Sequence, residues 1–183
     1  MLPTGHLAAG LLTTQALLKI VKPEVTAVEL QQLLWWGIFW SFAPDLDTFW
    51  AFFKAKSFYY NKKDSSVHRQ FYTHIPLLWL IVALGIFIFS PTAYWKTFGL
   101  ILWAGSWSHF LLDSIEYGVM WLWPWNKELW AFKNRAVRVQ INSSSFWSYW
   151  TTFLKFYTTR LTFIFEVLII ISAIILNLKF FNL

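Results

Sequence analysis

Four short polar stretches interrupt an otherwise apolar chain: Gly5-His6, Pro44-Asp45-Leu46-Asp47, His68-Arg69 followed by Thr73-His74, and Ser108-His109 running on to Asp113-Ser114. They hold all four histidines and three of the four aspartates of the 183 residues. Imidazole nitrogen and carboxylate oxygen are donors to divalent transition ions. Ionisable groups inside a greasy chain are costly unless they are paired or metal-bound. Their collection in a few places is the pattern of a metal centre, and it sets the candidate ligands as His6, Asp45, Asp47, His68, His74, His109 and Asp113.

Spacing refines this set. His109 and Asp113 are four apart on an expected helix, one above the other on the same face, a two-donor platform. Asp45 and Asp47 flank Leu46 just after a proline, where an extended backbone would aim both carboxylates the same way, one to ligate and the other to bridge or orient a ligand. His68 and His74 are six apart, which is not one helical face, so at most one belongs to the following helix and the other to the loop before it. With no cysteine in the chain, thiolate sites and disulfides are excluded and the donors must be N and O.

These groups have to be held by apolar elements. Hydrophobic residues make up 57% of the chain and charged ones 13%, with 14 Trp and 19 Phe, more aromatic surface than a small soluble core absorbs but suited to lipid and the interfacial belt. The net charge of +6 is dispersed rather than gathered in a stripe, which argues for lipid headgroups and against nucleic acid. Five apolar segments are expected to be membrane-embedded: His6 to Ile20, Leu30 to about Ala43, Ile75 to Ser90, Phe98 to Leu112, and Leu161 to Phe181 with Glu166 near its start. A cleaved signal peptide would want a basic residue ahead of the first of these, and none precedes Lys19, so that segment is expected to be retained.

Between the fourth and fifth segments, residues 126–160 are the one long polar region. Within it Phe146, Trp147, Trp150, Phe153, Leu154 and Tyr157 fall on one face of a helix, with Ser143 to Ser145 offering N-caps. That face suits either the membrane interface or packing on the bundle. The expected fold is therefore all-α: one domain over 1–183, a polytopic helical membrane protein with about five embedded helices and an interfacial amphipathic helix. Eleven Lys and Arg lie in the 54–69 and 126–160 loops, against four (Lys19, Lys22, Lys96, Lys179) in the others. The positive-inside rule then puts the N-terminus in the cytoplasm, and all four polar stretches fall at the cytoplasmic ends of their helices.

The same residues carry a family resemblance. Gly5-His6, Pro44-Asp45-Leu46-Asp47, His68-Arg69 with Thr73-His74, and His109 to Asp113 followed by Gly118 and Trp123-Pro124 resemble, in order and spacing over about residues 2–124, the LexA-regulated, YdjM-like family of inner-membrane proteins. Two positions depart from its pattern: Gln70 where the family has Gly, and Ile75 where it has Ser. The resemblance implies a metal-dependent hydrolase. More distantly, the order of His and Asp is similar to that of the all-helical zinc phospholipase C and nuclease fold, which ranks phosphoesters first among substrates.

Ligand chemistry agrees with that implication. One or two divalent ions, zinc first and manganese or iron next, would activate water at neutral pH. Asp47, His68 and Arg69 are the residues expected to take part in the reaction. Arg69 would clamp a phosphate through its forked donors, and His68 or His6 would protonate the leaving group. At the depth of the headgroups, membrane lipid or a lipid-linked phosphoester is the expected substrate. The alternatives are a transport protein with a permeating metal and a non-catalytic membrane protein with a structural one.

Overall fold

In the computed structural model, residues 1–55, 69, 71–133, 141 and 145–181 are described, and seven α-helices are found among them. Helix α1 (Pro3–Val21) starts with proline in its first turn and closes at Lys22 in the left-handed region, φ 46°. Helix α2 (Ala27–Phe42) opens on a capping box in which Thr26 and Glu29 satisfy each other's backbone N–H groups. A 3-10 turn, Ala43–Leu46, then leads into α3 (Asp47–Ala55). A second 3-10 turn, Tyr72–His74, precedes α4 (Pro76–Phe89), followed by α5 (Ala93–Asp113), α6 (Phe146–Tyr157) and α7 (Leu161–Phe181). Ser145 caps α6 by accepting from the Ser148 N–H.

The fold is all-helical, as expected. Among the described residues the one β feature is an isolated antiparallel bridge between Val119 and Trp130. One expectation is overturned: Asp45 and Asp47 do not lie on extended backbone. Proline is tolerated at the start of a helical turn, so Pro44 ends α2 by starting the 3-10 turn, which carries Asp45 and hands Asp47 to the first position of α3.

Helices α1, α2 and α5 pack together, α4 covers α5, and α7 lies along α1. The buried core between them includes Leu18, Leu33, Ala83, Phe98, Ile101 and Leu102. The three central helices approach unusually closely. A Cβ on Gly37 would overlap the Thr14 side chain, one on Gly10 would overlap Ser41, and one on Gly105 would stand 3.1 Å from the Gly37 carbonyl oxygen.

Helix α7 contains a window, Leu161–Leu178, long and apolar enough to cross a membrane, and it is mostly exposed. At 1.5 Å per residue its 21 residues reach about 31 Å, against about 21 Å for the 14 of α4 and a hydrocarbon core of about 30 Å. α7 alone among the described helices meets that length and composition; α4 is apolar but short. In α6 the expected aromatic face is only partly the inward one. Tyr149, Phe153 and Tyr157 point in, with Tyr149 and Tyr157 buried, while Phe146, Trp147 and Leu154 remain exposed.

Candidate metal centre

The last turn of α5 supplies His109 and Asp113, both buried, from consecutive turns of one face. The turn after α2 brings Asp45 opposite them, and the turn before α4 brings His74, fixed where Pro76 forces a new helix to begin. Asp45 Oδ1 stands 3.4 Å from His74 Nε2 and 3.6 Å from His109 Nε2, and Asp113 Oδ2 stands 3.9 Å from His109 Nε2. One donor atom from each of the four residues falls within 4.8 Å of all the others. Donors about 2.0–2.2 Å from a tetrahedral ion lie about 3.3–3.6 Å apart, so this cage is already close to the right size.

The two imidazoles are turned for coordination. His109 Nδ1 lies 2.9 Å from the Ser41 carbonyl oxygen, which can only accept, so Nδ1 carries the proton and Nε2 presents a lone pair. That Nε2 is buried and makes no hydrogen bond. His74 Nδ1 donates to Asp47 Oδ2 at 2.8 Å, and Thr73 Oγ1 donates to the same oxygen at 2.5 Å. This is the carboxylate–histidine arrangement that sets tautomer and ring orientation in metal sites. Asp47 therefore stands behind the His74 ring, on the side away from Asp45. Two imidazole nitrogens and two carboxylate oxygens without sulfur suit zinc, manganese or iron.

Without an ion the charges balance within the protein. Burial would raise the Asp45 carboxyl, but the neighbouring His109 and a hydrogen bond from His74 hold it below the usual carboxylate range. Burial would lower His74, but its hydrogen bonds to Asp45 and Asp47 push it up to about 9. Asp113 is paired on both oxygens, with the Met1 ammonium 2.6 Å from Oδ1 and Arg69 Nε 3.1 Å from Oδ2. The Arg69 guanidinium lies over the Tyr117 ring at 4.4 Å.

His6 belongs to the cluster at its edge. Its ring stacks on His109 at 3.8 Å between centroids, with Nε2 3.5 Å from Asp113 Oδ1 and 3.9 Å from Asp45 Oδ2. The structure thus gathers His6, Asp45, Asp47, Arg69, His74, His109 and Asp113, while His68 lies outside the described residues.

Sequence reasoning gave no role at this cluster to Glu116 or Tyr117, and marked Glu166 only as a charge near the start of the last apolar segment. Glu116, buried just beyond α5, accepts from Arg160 at 2.8 Å, from the Thr162 N–H at 3.1 Å and from the Thr162 hydroxyl at 2.8 Å, tying α5 to the start of α7. Tyr117 is buried beneath Arg69, and its hydroxyl finds no hydrogen-bond partner; burial pushes the phenol up to about 12. Glu166 is buried on α7 with Tyr157 beside it. The available signal was that Glu166 is the single charge between 161 and 178.

Compared with known proteins, residues 1–182 match the model of a family described as YdjM inner membrane protein. The match runs well past the motifs that end at Pro124. No curated protein and no solved structure matches.

Proposed function

The chain belongs to the YdjM inner membrane protein family, and from that premise we propose that it is a multi-pass membrane hydrolase that uses a divalent metal, zinc first, to cleave a lipid or lipid-linked phosphoester. The observation that carries this reading is the convergence of Asp45, His74, His109 and Asp113 in a cage of metal-binding size, with the His109 Nε2 lone pair buried and unmatched. A divalent ion there would lower the pKa of a water to about 7 and polarise a phosphoryl oxygen.

The protein's own groups divide the remaining work. Asp47 and the Ser41 carbonyl hold the two imidazoles in the coordinating tautomer. Arg69, held over Tyr117, sits beside the cage where its charge would meet a phosphate. Access supports catalysis over a sealed structural site: the side chains of Asp45 and Arg69 are 14% and 17% exposed, whereas His6, His74, His109 and Asp113 are closed off. The same one-sidedness argues against a permeation path, which would need polar groups on both sides of the cage.

In this reading α1, α2, α4 and α5 join α7 in the bilayer, with the N-terminus and the cage at the cytoplasmic face and α6 at the interface. Elemental analysis of protein purified without chelator, followed by a phosphoester and phospholipid hydrolysis panel, tests it. Stoichiometric metal and metal-dependent turnover are expected, both lost in His109→Ala and Asp113→Ala. A metal-free protein whose content does not change in those variants would refute the metal centre. Turnover that survives both would refute its catalytic role.

A further inference from the structure

Glu166 is the sixth residue of α7 and is buried at 4% exposure in a helix otherwise free of charge up to Leu178. A carboxylate in such a helix is costly unless donors meet it. Three donors do, and they come from the two helices beside it. Thr4 Oγ1 donates to Oε1 at 2.5 Å, the Gly5 N–H donates to the same oxygen at 3.1 Å, and the Tyr157 hydroxyl donates to Oε2. Tyr157 in turn accepts from the Leu2 N–H at 3.3 Å.

The pattern has a reason at α1. A helix begins with N–H groups that lack intrahelical partners, and negative charge there is favourable. Helix α1 has no capping side chain at Leu2 and no acidic residue in its first turn. Glu166 supplies from another helix what that sequence lacks. The contact needs a bare α-carbon, since a Cβ on Gly5 would come within 2.9 Å of Glu166 Cγ. The next residue is His6, whose buried ring makes no hydrogen bond through either nitrogen. Its place against His109 and Asp113 is therefore set by backbone position and stacking, with only the longer approaches of 3.5 Å to Asp113 and 3.9 Å to Asp45 beside them.

We propose that Glu166, with Tyr157, is a clasp that positions His6 as a further imidazole donor at the metal centre, so that the membrane helix α7 helps to set the metal's coordination. The idea rests on the metal-centre reading above, but one arm of its test does not. In metal-free full-length protein in nanodiscs, diethyl pyrocarbonate modification of His6, followed by mass spectrometry, reads the clasp directly. Glu166→Gln and Tyr157→Phe should speed modification of His6 about 10-fold or more, the scale of one lost hydrogen bond to a charged group, while His74, which does not stack on His6, keeps its rate. Unchanged His6, or His74 exposed to the same degree, overturns the clasp. Tyr157→Phe removes a single hydroxyl and decides the matter if Glu166→Gln does not fold.

The second arm titrates cobalt(II) and follows its d–d absorption. Glu166→Gln should weaken binding about 10-fold and change the spectrum, yet add nothing in a His6→Gln background. Wild-type affinity in Glu166→Gln, or a full additional loss in the His6→Gln protein, overturns the positioning role. A wild type that binds no cobalt refutes the metal reading instead and leaves the modification arm to decide the clasp.

Discussion

Asp47→Asn is the most discriminating substitution at the cage, because it separates a residue that binds the ion from one that aims a ligand. Asp47 Oδ2 accepts from His74 Nδ1 at 2.8 Å and from Thr73 Oγ1 at 2.5 Å, behind the ring that faces Asp45. An asparagine of the same shape accepts more weakly and can offer its NH2 to Nδ1. That favours the tautomer with the proton on Nε2, where the lone pair is needed. Hydrogen bonds to charged groups contribute about 1.5–3 kcal/mol, and loss of such an outer partner weakens metal binding about 10- to 100-fold, or about 1.4–2.7 kcal/mol. The two magnitudes agree. Chelator competition with zinc should therefore give Asp47→Asn a full complement of metal at 10- to 100-fold lower affinity, while Asp45→Ala and Asp113→Ala lose stoichiometric binding. An Asp47→Asn affinity within about twofold of wild type would show that Asp47 does not set the tautomer. Complete loss of metal would make Asp47 a direct ligand.

Three further outcomes follow from the same geometry. His74 is held protonated up to about pH 9 without metal, so its pairing with Asp45 and Asp47 stabilises the metal-free protein fully below about pH 6.5 and is lost as pH rises through 9. Thermal unfolding in chelator from pH 6 to 10 should show that decline, while metal affinity climbs over the same range because the ion displaces a proton; a flat pair of profiles contradicts it. Gly105→Ala places a methyl 3.1 Å from the Gly37 carbonyl oxygen and from Trp40 Cβ, one turn before the His109–Ser41 hydrogen bond, and should cost about 1–3 kcal/mol and weaken metal binding, read by unfolding and titration. Reporter fusions should place the N-terminus and the 126–160 segment in the cytoplasm and the C-terminus outside. A cytoplasmic C-terminus would break the five-span arrangement.

Much of the helical order could be read from the chain because its punctuation is chemical. Pro23, Pro44 and Pro91 stand where one α-helix has ended and before the next begins, Pro76 opens α4, and Ser145 caps α6 where a run of serines offered it. The convergence of Asp45, His74, His109 and Asp113 was legible for the same reason, since polar groups in an apolar chain must find one another. The conformation around Asp45 was not, because a residue after proline fits both an extended strand and a 3-10 turn. Partners joined across long sequence distances were equally hidden. Nothing local in Glu166 names Thr4, and nothing in Glu116 names Thr162. Helix α6 shows the limit of periodicity: an aromatic at nearly every turn lets several faces qualify, and packing chose the one with Tyr149 and Tyr157.

The near-contact of α1, α2 and α5 bears on which ion the proposed centre would accept. Gly10, Gly37 and Gly105 leave almost no slack between three backbones, and His6, the Ser41 carbonyl and His109 all hang from them within a turn or two. His109 and Asp113 are then spaced by main chain, while Asp45 and His74 come from the 3-10 turns beside them, so an ion bound there would meet one half of its site already formed. Intrinsic affinities alone would favour copper over zinc at such a nitrogen–oxygen site. In the proposed metal centre, a rigid His109–Asp113 half would resist the flattened geometry that copper prefers, so discrimination among ions would be written partly into three glycines that never touch the metal.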